Sequence, residues 1–84
     1  MRFAFEVSVS LKPGLADPQG QAVRGALAAL GWSGVSRVRV GKHVWLEVEG
    51  DTVEAATAQV EEMARRLLSN PVIEDFRVTP AEVS

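Results

Sequence analysis

The stretch VSRVRVGKHVWLEVEG, Val35 to Gly50, decides the fold, because apolar residues alternate with polar or aromatic ones on both sides of Gly41. The alternating apolar residues are Val38 and Val40 before the glycine, and Val44, Leu46 and Val48 after it. A period of two is typical of a β-strand that buries one face. The stretch therefore predicts a β-hairpin with a loop from Gly41 to His43.

The register of this hairpin follows from the rule that opposed residues in an antiparallel pair share a face. A loop of odd length keeps the valines together, and it sets Arg37 opposite Glu47 and Arg39 opposite Trp45. We expect the first of these to be a charge pair and the second to be a cation–π contact.

After the hairpin, Asp51 and Glu54 have capping-box spacing and predict the start of a helix. Its apolar stripe is expected to contain Val53, Ala56, Val60, Met63, Ala64 and Leu67. The sequence SNP, Ser69 to Pro71, ends this helix, and Val72–Val78 predicts a last strand with Val72, Phe76 and Val78 facing inward. Residues 80–84 are expected to be a frayed tail.

Before the hairpin, Arg2–Leu11 alternates strictly and predicts a first strand whose odd-numbered residues are buried. Asp17 stands before Pro18, which suits an N-cap followed by a first-turn proline. The spacing predicts a helix from Pro18 to about Leu30, and Gly31 ends it. Two glycines inside this helix, Gly20 and Gly25, indicate close packing either on its own sheet or on another chain.

The order strand, helix, strand, strand, helix, strand predicts an α+β fold of the ferredoxin-like type. We expect a four-stranded antiparallel sheet with both helices on one face, in a single domain over residues 1–79. An 84-residue chain buries only a thin core, which favours association with another chain. The open face of the sheet would carry Trp45 and Ile73 among polar residues, which is typical of a protein interface.

Composition excludes several classes of function. Nine Lys and Arg against eleven Asp and Glu give a net charge of −2, so a basic surface for nucleic acid is not expected. The chain has no cysteine, which excludes disulfides, thiolate metal sites and a thiol nucleophile. We find no signal peptide at the N-terminus and expect a cytoplasmic protein without a membrane partner.

Catalytic chemistry is not expected on this chain. His43 is the only histidine and is predicted to lie in or beside a turn, so a nucleophile with a histidine base is missing. Asp51 and Glu54 are better explained as helix caps than as a catalytic pair. Anion binding at the start of the first helix is opposed by Asp17, which occupies the cap. We therefore predict no catalytic residue, no bound cofactor and no metal.

Four segments in order resemble one family. They are LKPGLADPQG, the helix ending ALAALGW, RVRVGKHVWLEVEG and LLSNPVIEDFRV, and the match that contains them runs from about Phe3 to Val78. This pattern resembles PurS, the small subunit of the multi-chain phosphoribosylformylglycinamidine synthase of purine biosynthesis. The resemblance implies an ATP-dependent amidotransferase complex, a ligase, in which a synthetase (PurL) holds ATP and magnesium and a glutaminase (PurQ) releases ammonia.

On this resemblance the chain is a non-catalytic subunit that associates with itself, as a dimer or tetramer, and brings PurL and PurQ together. Its interface is expected to include Lys12, Asp17, Gln19, Arg39, Lys42, Trp45 and Asn70. The alternative is an ACT-like regulatory module that binds an amino acid, since such modules share the order of strands and helices. A saturable shift in melting temperature with a free amino acid would distinguish this alternative.

Overall fold

The computed structural model describes residues 1–83 and shows an antiparallel sheet with two α-helices. The elements are β1 (Arg2–Leu11), α1 (Pro18–Ala29), β2 (Lys42–Glu49), α2 (Val53–Met63) and β3 (Glu74–Ala81). The strand order is β2-β1-β3, with β1 antiparallel to both neighbours. The α+β class is confirmed, with three strands in this part of the chain where four were expected.

The predicted hairpin around Gly41 is wrong. Residues 35–41 form neither a strand nor a turn, and Gly41 does not have a positive φ. At Gly41 the chain passes so close to β1 that a Cβ would overlap the carbonyl oxygen of Val9. Within residues 1–83 β2 therefore pairs with β1 alone, and residues 35–40 do not fold back to pair with β2.

The core lies between β1 and α2. Phe5, Val7 and Val9 of β1 are buried, as the alternation predicted, and they pack against Ala56 and Val60 of α2. Apolar side chains of β2 and β3 flank this centre, among them Val44, Leu46, Phe76 and Val78. Within residues 1–83, α2 covers this face of the sheet, and the opposite face has no helix packed on it.

The expectation that both helices cover the sheet is wrong for α1. Of its twelve residues only Gly20 is buried, and α1 is not among the elements that pack on a strand. Val23 and Leu30 leave 42% and 73% of their surface exposed. Because the hairpin is open, α1 and residues 35–40 project together from the sheet as an arm, which we define as residues 12–40.

The arm makes the molecule long and flat. Its extents are 51 × 29 × 15 Å and its radius of gyration is 16.3 Å. A compact chain of this length has a radius of gyration of about 12 Å. The apolar surface of α1 therefore remains in contact with solvent in the single chain.

The second helix begins and ends differently from the prediction. Thr52, not Asp51, is the N-cap, since its hydroxyl oxygen accepts a hydrogen bond from the Ala55 N–H at 3.1 Å. A π-helical turn over Ala64–Leu68 follows α2 and inserts an extra residue. The insertion turns Leu67 outward, where 81% of its surface is exposed, so the predicted apolar stripe ends at Ala64.

The last strand, Glu74–Ala81, begins two residues later and ends three residues later than the predicted Val72–Val78. Val72 is in the preceding turn and is 80% exposed, which corrects its predicted inward position. The predicted tail over residues 80–84 starts too early, because Pro80 and Ala81 pair with Phe5 and Ala4 of β1. Proline is tolerated there because β3 is an edge strand. Ser84, the last residue of that tail, is outside the described residues.

No helix within residues 1–83 is long and apolar enough to cross a membrane.

Candidate functional site: the arm joint and the open edge of β2

The joint between the arm and the sheet is centred on Asp17. One carboxylate oxygen accepts the Gly20 N–H at 2.9 Å, which confirms the predicted N-cap, and the other accepts the Val40 N–H at 2.8 Å. These donors, Val40 first, and the nearby Arg39 charge hold the pKa of Asp17 below its ordinary 3.8 against the opposing effect of burial. Asp17 thus connects the start of α1 to the chain that enters β2.

Arg39 connects residues 35–40 to a second part of the joint, residues 11–15. Its guanidinium donates hydrogen bonds to the carbonyl oxygens of Leu11, Lys12 and Leu15 at 2.9 to 3.2 Å. Because these carbonyls lie at the end of β1 and in the turn that follows it, Arg39 holds this part of the chain against residues 35–40. The predicted cation–π contact with Trp45 is not formed within the chain, because the hairpin that would bring the two together is open.

The two glycines of α1 have different surroundings. A Cβ on Gly20 would overlap the carbonyl oxygen of Val38, so this glycine lets α1 lie directly on residues 35–40. Around Gly25 there is no atom within 4 Å of such a Cβ. Gly20 therefore packs on the chain's own arm, whereas Gly25 faces open space.

A cavity of about 200 Å³ lies at the joint and is lined by three arginines. Arg39 is committed to the carbonyls above, and Arg24 donates from Nε to the Val35 carbonyl at 2.9 Å. Arg37 makes neither a side-chain hydrogen bond nor an ion pair within residues 1–83. The joint is thus polar and tightly hydrogen-bonded, with one uncommitted guanidinium on its rim.

The outer edge of β2 is the second feature of the site, because β1 is the only strand paired with β2 in the described chain. On the face of the sheet that α2 leaves open, Trp45 lies across from Glu6 and is 42% exposed. His43 is in β2 rather than in a turn, and its Nε2 is 3.6 Å from the Glu6 carboxylate. The open face therefore carries Trp45 among polar residues as predicted, but Ile73, which was expected on the same face, lies in the turn before β3 and is 41% exposed.

Glu47 stands on the same face with one oxygen unsatisfied. Its Oε1 is 3.8 Å from an Arg2 nitrogen, which replaces the predicted partner Arg37. Its Oε2 is shielded from solvent and has no hydrogen-bond partner among the described residues. A shielded carboxylate oxygen without a donor is costly, so a further donor to Glu47 would stabilise this surface.

The seven residues predicted to form an interface do not make one cluster. Lys12, Asp17 and Arg39 are at the joint, Gln19 is in the first turn of α1, Lys42 and Trp45 are in β2, and Asn70 follows the π-helical turn. Asp17 is only 6% exposed and is satisfied within the chain, so its surroundings favour a structural role. The interface role of the seven stays a prediction.

The sequence did not predict the hydrogen bonds of Arg39 to backbone carbonyls or the unpaired outer edge of β2. Arginine alternating with valine is the usual pattern of a half-exposed strand, and nothing in it indicates that the guanidinium bonds to carbonyls. Within residues 1–83, no group of three or more His, Asp or Glu side chains could hold a metal.

The unpaired strand edge, the exposed side of α1 and the hydrogen-bonded joint together define a small α+β domain with a projecting arm. A profile of the family described as PurS: Phosphoribosylformylglycinamidine (FGAM) synthase matches residues 4–82. The PurS subunit of Mycobacterium leprae is 47% identical over 73 residues, covering 87% of this chain and 89% of the relative. That of Bacillus subtilis is 41% identical over 81 residues, covering 96% and 95%.

A chain in the solved structure of PurLQS from Thermotoga maritima has the same fold. It superposes with a TM-score of 0.89 at 31% identity, covering 96% of this chain and 99% of that chain. The chain belongs to the PurS family, and the family resemblance of its sequence is confirmed.

Proposed function

We propose that this chain brings the PurQ glutaminase and the PurL synthetase together, so that glutamine-derived ammonia reaches formylglycinamide ribonucleotide in the ATP-dependent amidation. The observation that carries the proposal is the close match to a chain of the Thermotoga maritima PurLQS structure. On this proposal the chain acts in the cytoplasm, and ATP and magnesium bind to the synthetase.

The chemistry of ammonia explains why such a subunit is useful. Free ammonia at neutral pH is mostly protonated and is then no nucleophile. A glutaminase must therefore release it next to the synthetase. A subunit that stabilises docking raises the glutamine-dependent rate through proximity, without contributing a reacting group.

The experiment measures amidation by PurL and PurQ of the same organism with and without this chain, using either glutamine or concentrated ammonium as the nitrogen source. We expect a large increase with glutamine and little change with ammonium. An equal effect on both reactions, or none on either, would contradict the docking role. A melting-temperature shift with a free amino acid would instead support the ACT-like module.

We also propose that the chain associates with itself through the outer edge of β2 and the apolar side of α1. The support is physical: unpaired strand edges pair readily with another chain, and within residues 1–83 α1 contacts the rest of the arm but leaves apolar residues such as Val23 and Leu30 exposed. A second copy would supply the fourth strand that the ferredoxin-like expectation requires. Light scattering on a sizing column tests this proposal, and a monomer at all concentrations would refute it.

A further inference from the structure

Because the hairpin is open, two segments whose alternating residues would pair with each other, residues 36–39 and β2, do not do so within one chain. Residues 35–41 continue into β2 without a turn, so residues 36–49 form one continuous segment that does not fold back on itself. Its first part, Ser36–Arg39, makes no backbone-to-backbone hydrogen bond in the described residues, and its second part, β2, has an unpaired edge. The sequence alternation that predicted a hairpin still relates these two parts.

A second copy can satisfy both parts at once. Two identical strands that pair antiparallel are related by a two-fold axis, so each contact occurs twice. The register of the predicted hairpin, transferred between two chains, places Lys42 opposite Lys42 of the partner subunit at the axis. It also places Val38 opposite Leu46 of the partner subunit. Because both are on the same face of the sheet, the apolar residues stay together.

The charges of Arg37 and Glu47 favour this register. Arg37 has no partner within residues 1–83, whereas Glu47 has Oε1 at 3.8 Å from Arg2 and a shielded Oε2 without a donor. The register sets these two residues opposite each other, where opposite charges stabilise an antiparallel pair. A slip of two residues would set Arg37 opposite Glu49, but both oxygens of Glu49 already have a cation within 4 Å, Oε2 the Met1 ammonium and Oε1 Arg2.

Resting on the proposed self-association, we propose that Arg37 of each copy pairs with Glu47 of the other, on both sides of a two-fold axis at Lys42. The pair is a specificity determinant, because it selects one register among those that keep the valines on one face. The partner is a second copy of this chain, because the alternating residues before Gly41 match those of β2. A second copy therefore presents the matching strand.

The test reverses one charge at a time in the full chain. Arg37→Glu places two carboxylates together and Glu47→Arg places two guanidinium groups together, so we expect each variant alone to weaken the dimer by about tenfold or more. An equimolar mixture of the two variants restores opposite charges at both contacts of a mixed dimer. The double variant R37E/E47R restores them within one sequence.

Matched controls keep the same change of net charge away from the strand edge. Arg77→Glu lies on β3, and Glu61→Arg lies on the outside of α2; neither residue has an ion pair among the described residues. Light scattering gives the mass of each sample, and circular dichroism shows whether each variant is folded. We expect both controls to dimerise like the unmodified chain.

The outcomes separate the two proposals. Recovery of dimers only in the mixture and in the double variant supports the Arg37–Glu47 pair. If the unmodified chain dimerises but both single variants dimerise equally well, or if the mixture stays monomeric, the charge pair is overturned and self-association stands. A monomeric unmodified chain overturns both proposals.

Discussion

At the scale of single residues, Asp17 and Arg39 have opposite charges yet both bind the main chain. Asp17 accepts two backbone N–H groups and Arg39 donates to three carbonyls. Charge-assisted bonds to the backbone are stronger than neutral ones, and all of these except the Asp17–Gly20 cap join segments that are far apart in the sequence. The two residues therefore fix the direction of the arm.

The two glycines of α1 provide a matched pair of substitutions. For Gly20→Ala we expect hydrogen exchange in α1 to quicken at least fivefold, because the new Cβ overlaps a backbone oxygen that has little room to move. For Gly25→Ala we expect exchange to slow about fivefold, since alanine favours the helix by about 1 kcal/mol and meets no atom. Exchange measured by NMR checks both, and equal effects would contradict the packing described for Gly20.

The lowered pKa of Asp17 predicts a dependence of stability on pH. A carboxylate whose pKa is lower in the folded state stabilises that state fully above its unfolded pKa, near 3.8, and loses this contribution as the pH falls through the folded value. We expect Asp17→Asn to lower the melting temperature at pH 7 and to differ progressively less from the unmodified chain below pH 3.8.

The control for this prediction is Asp75→Asn on β3. Asp75 is 60% exposed and has only a 3.6 Å ion pair with Lys12, so we expect little change in melting temperature at any pH. A difference between Asp17→Asn and the unmodified chain that stayed constant down to pH 2 would mean that the cap does not depend on charge.

At the scale of elements, local sequence patterns predicted where the strands and helices occur better than they predicted which elements pack or pair with each other. The alternation of Arg2–Leu11 and the Asp17–Pro18 start of α1 were both confirmed, because each depends on neighbouring residues alone. The hairpin around Gly41 was wrong for the opposite reason. Alternation fixes which residues share a face, but it leaves open whether the matching strand belongs to the same chain.

The helix α2 shows a second limit of sequence patterns. Asp51 and Thr52 are adjacent residues that both favour an N-cap, and spacing to Glu54 selected the wrong one. The π-helical turn after Met63 leaves no signal in the apolar period, so the outward position of Leu67 was missed. The hydrogen bonds of Arg39 to three carbonyls were missed for a similar reason. Every residue has a backbone carbonyl, so the sequence does not indicate which carbonyls accept from Arg39.

The register proposed for the paired strands predicts a specific cross-link. The chain has no cysteine, so Lys42→Cys introduces a single thiol at the proposed axis. Residues directly opposite in an antiparallel pair have Cα atoms about 4.5–5.5 Å apart, within the range of a disulfide. We expect mild oxidation to give a covalent dimer on a non-reducing gel.

The adjacent substitution His43→Cys is the control. In the same register its copies lie opposite position 41 and are too far apart for a disulfide. Strong cross-linking of His43→Cys and none of Lys42→Cys would indicate a register shifted by two residues.

At the scale of the whole molecule, a thin core and a long arm predict that folding is coupled to association. The radius of gyration of 16.3 Å exceeds that of a compact chain, and the apolar side of α1 gains cover only from another molecule. Binding that favours the folded state raises its apparent stability by mass action. The melting temperature should therefore rise with protein concentration.

Scanning calorimetry over a hundredfold range of concentration measures this dependence. The variant Arg37→Glu, which is expected to dimerise poorly, should show a smaller rise over the same range. A melting temperature that is independent of concentration for the unmodified chain would mean that the single chain is stable without cover.

The uninterrupted passage from the arm into β2 has a mechanical consequence. Because residue 41 leads directly into β2, a force applied to the arm reaches the hydrogen bonds between β1 and β2 through the chain itself. The hydrogen bonds of Asp17 and Arg39 give the arm a second connection, to the start of α1 and to the end of β1. A protein that binds α1 is therefore linked to the sheet by both routes.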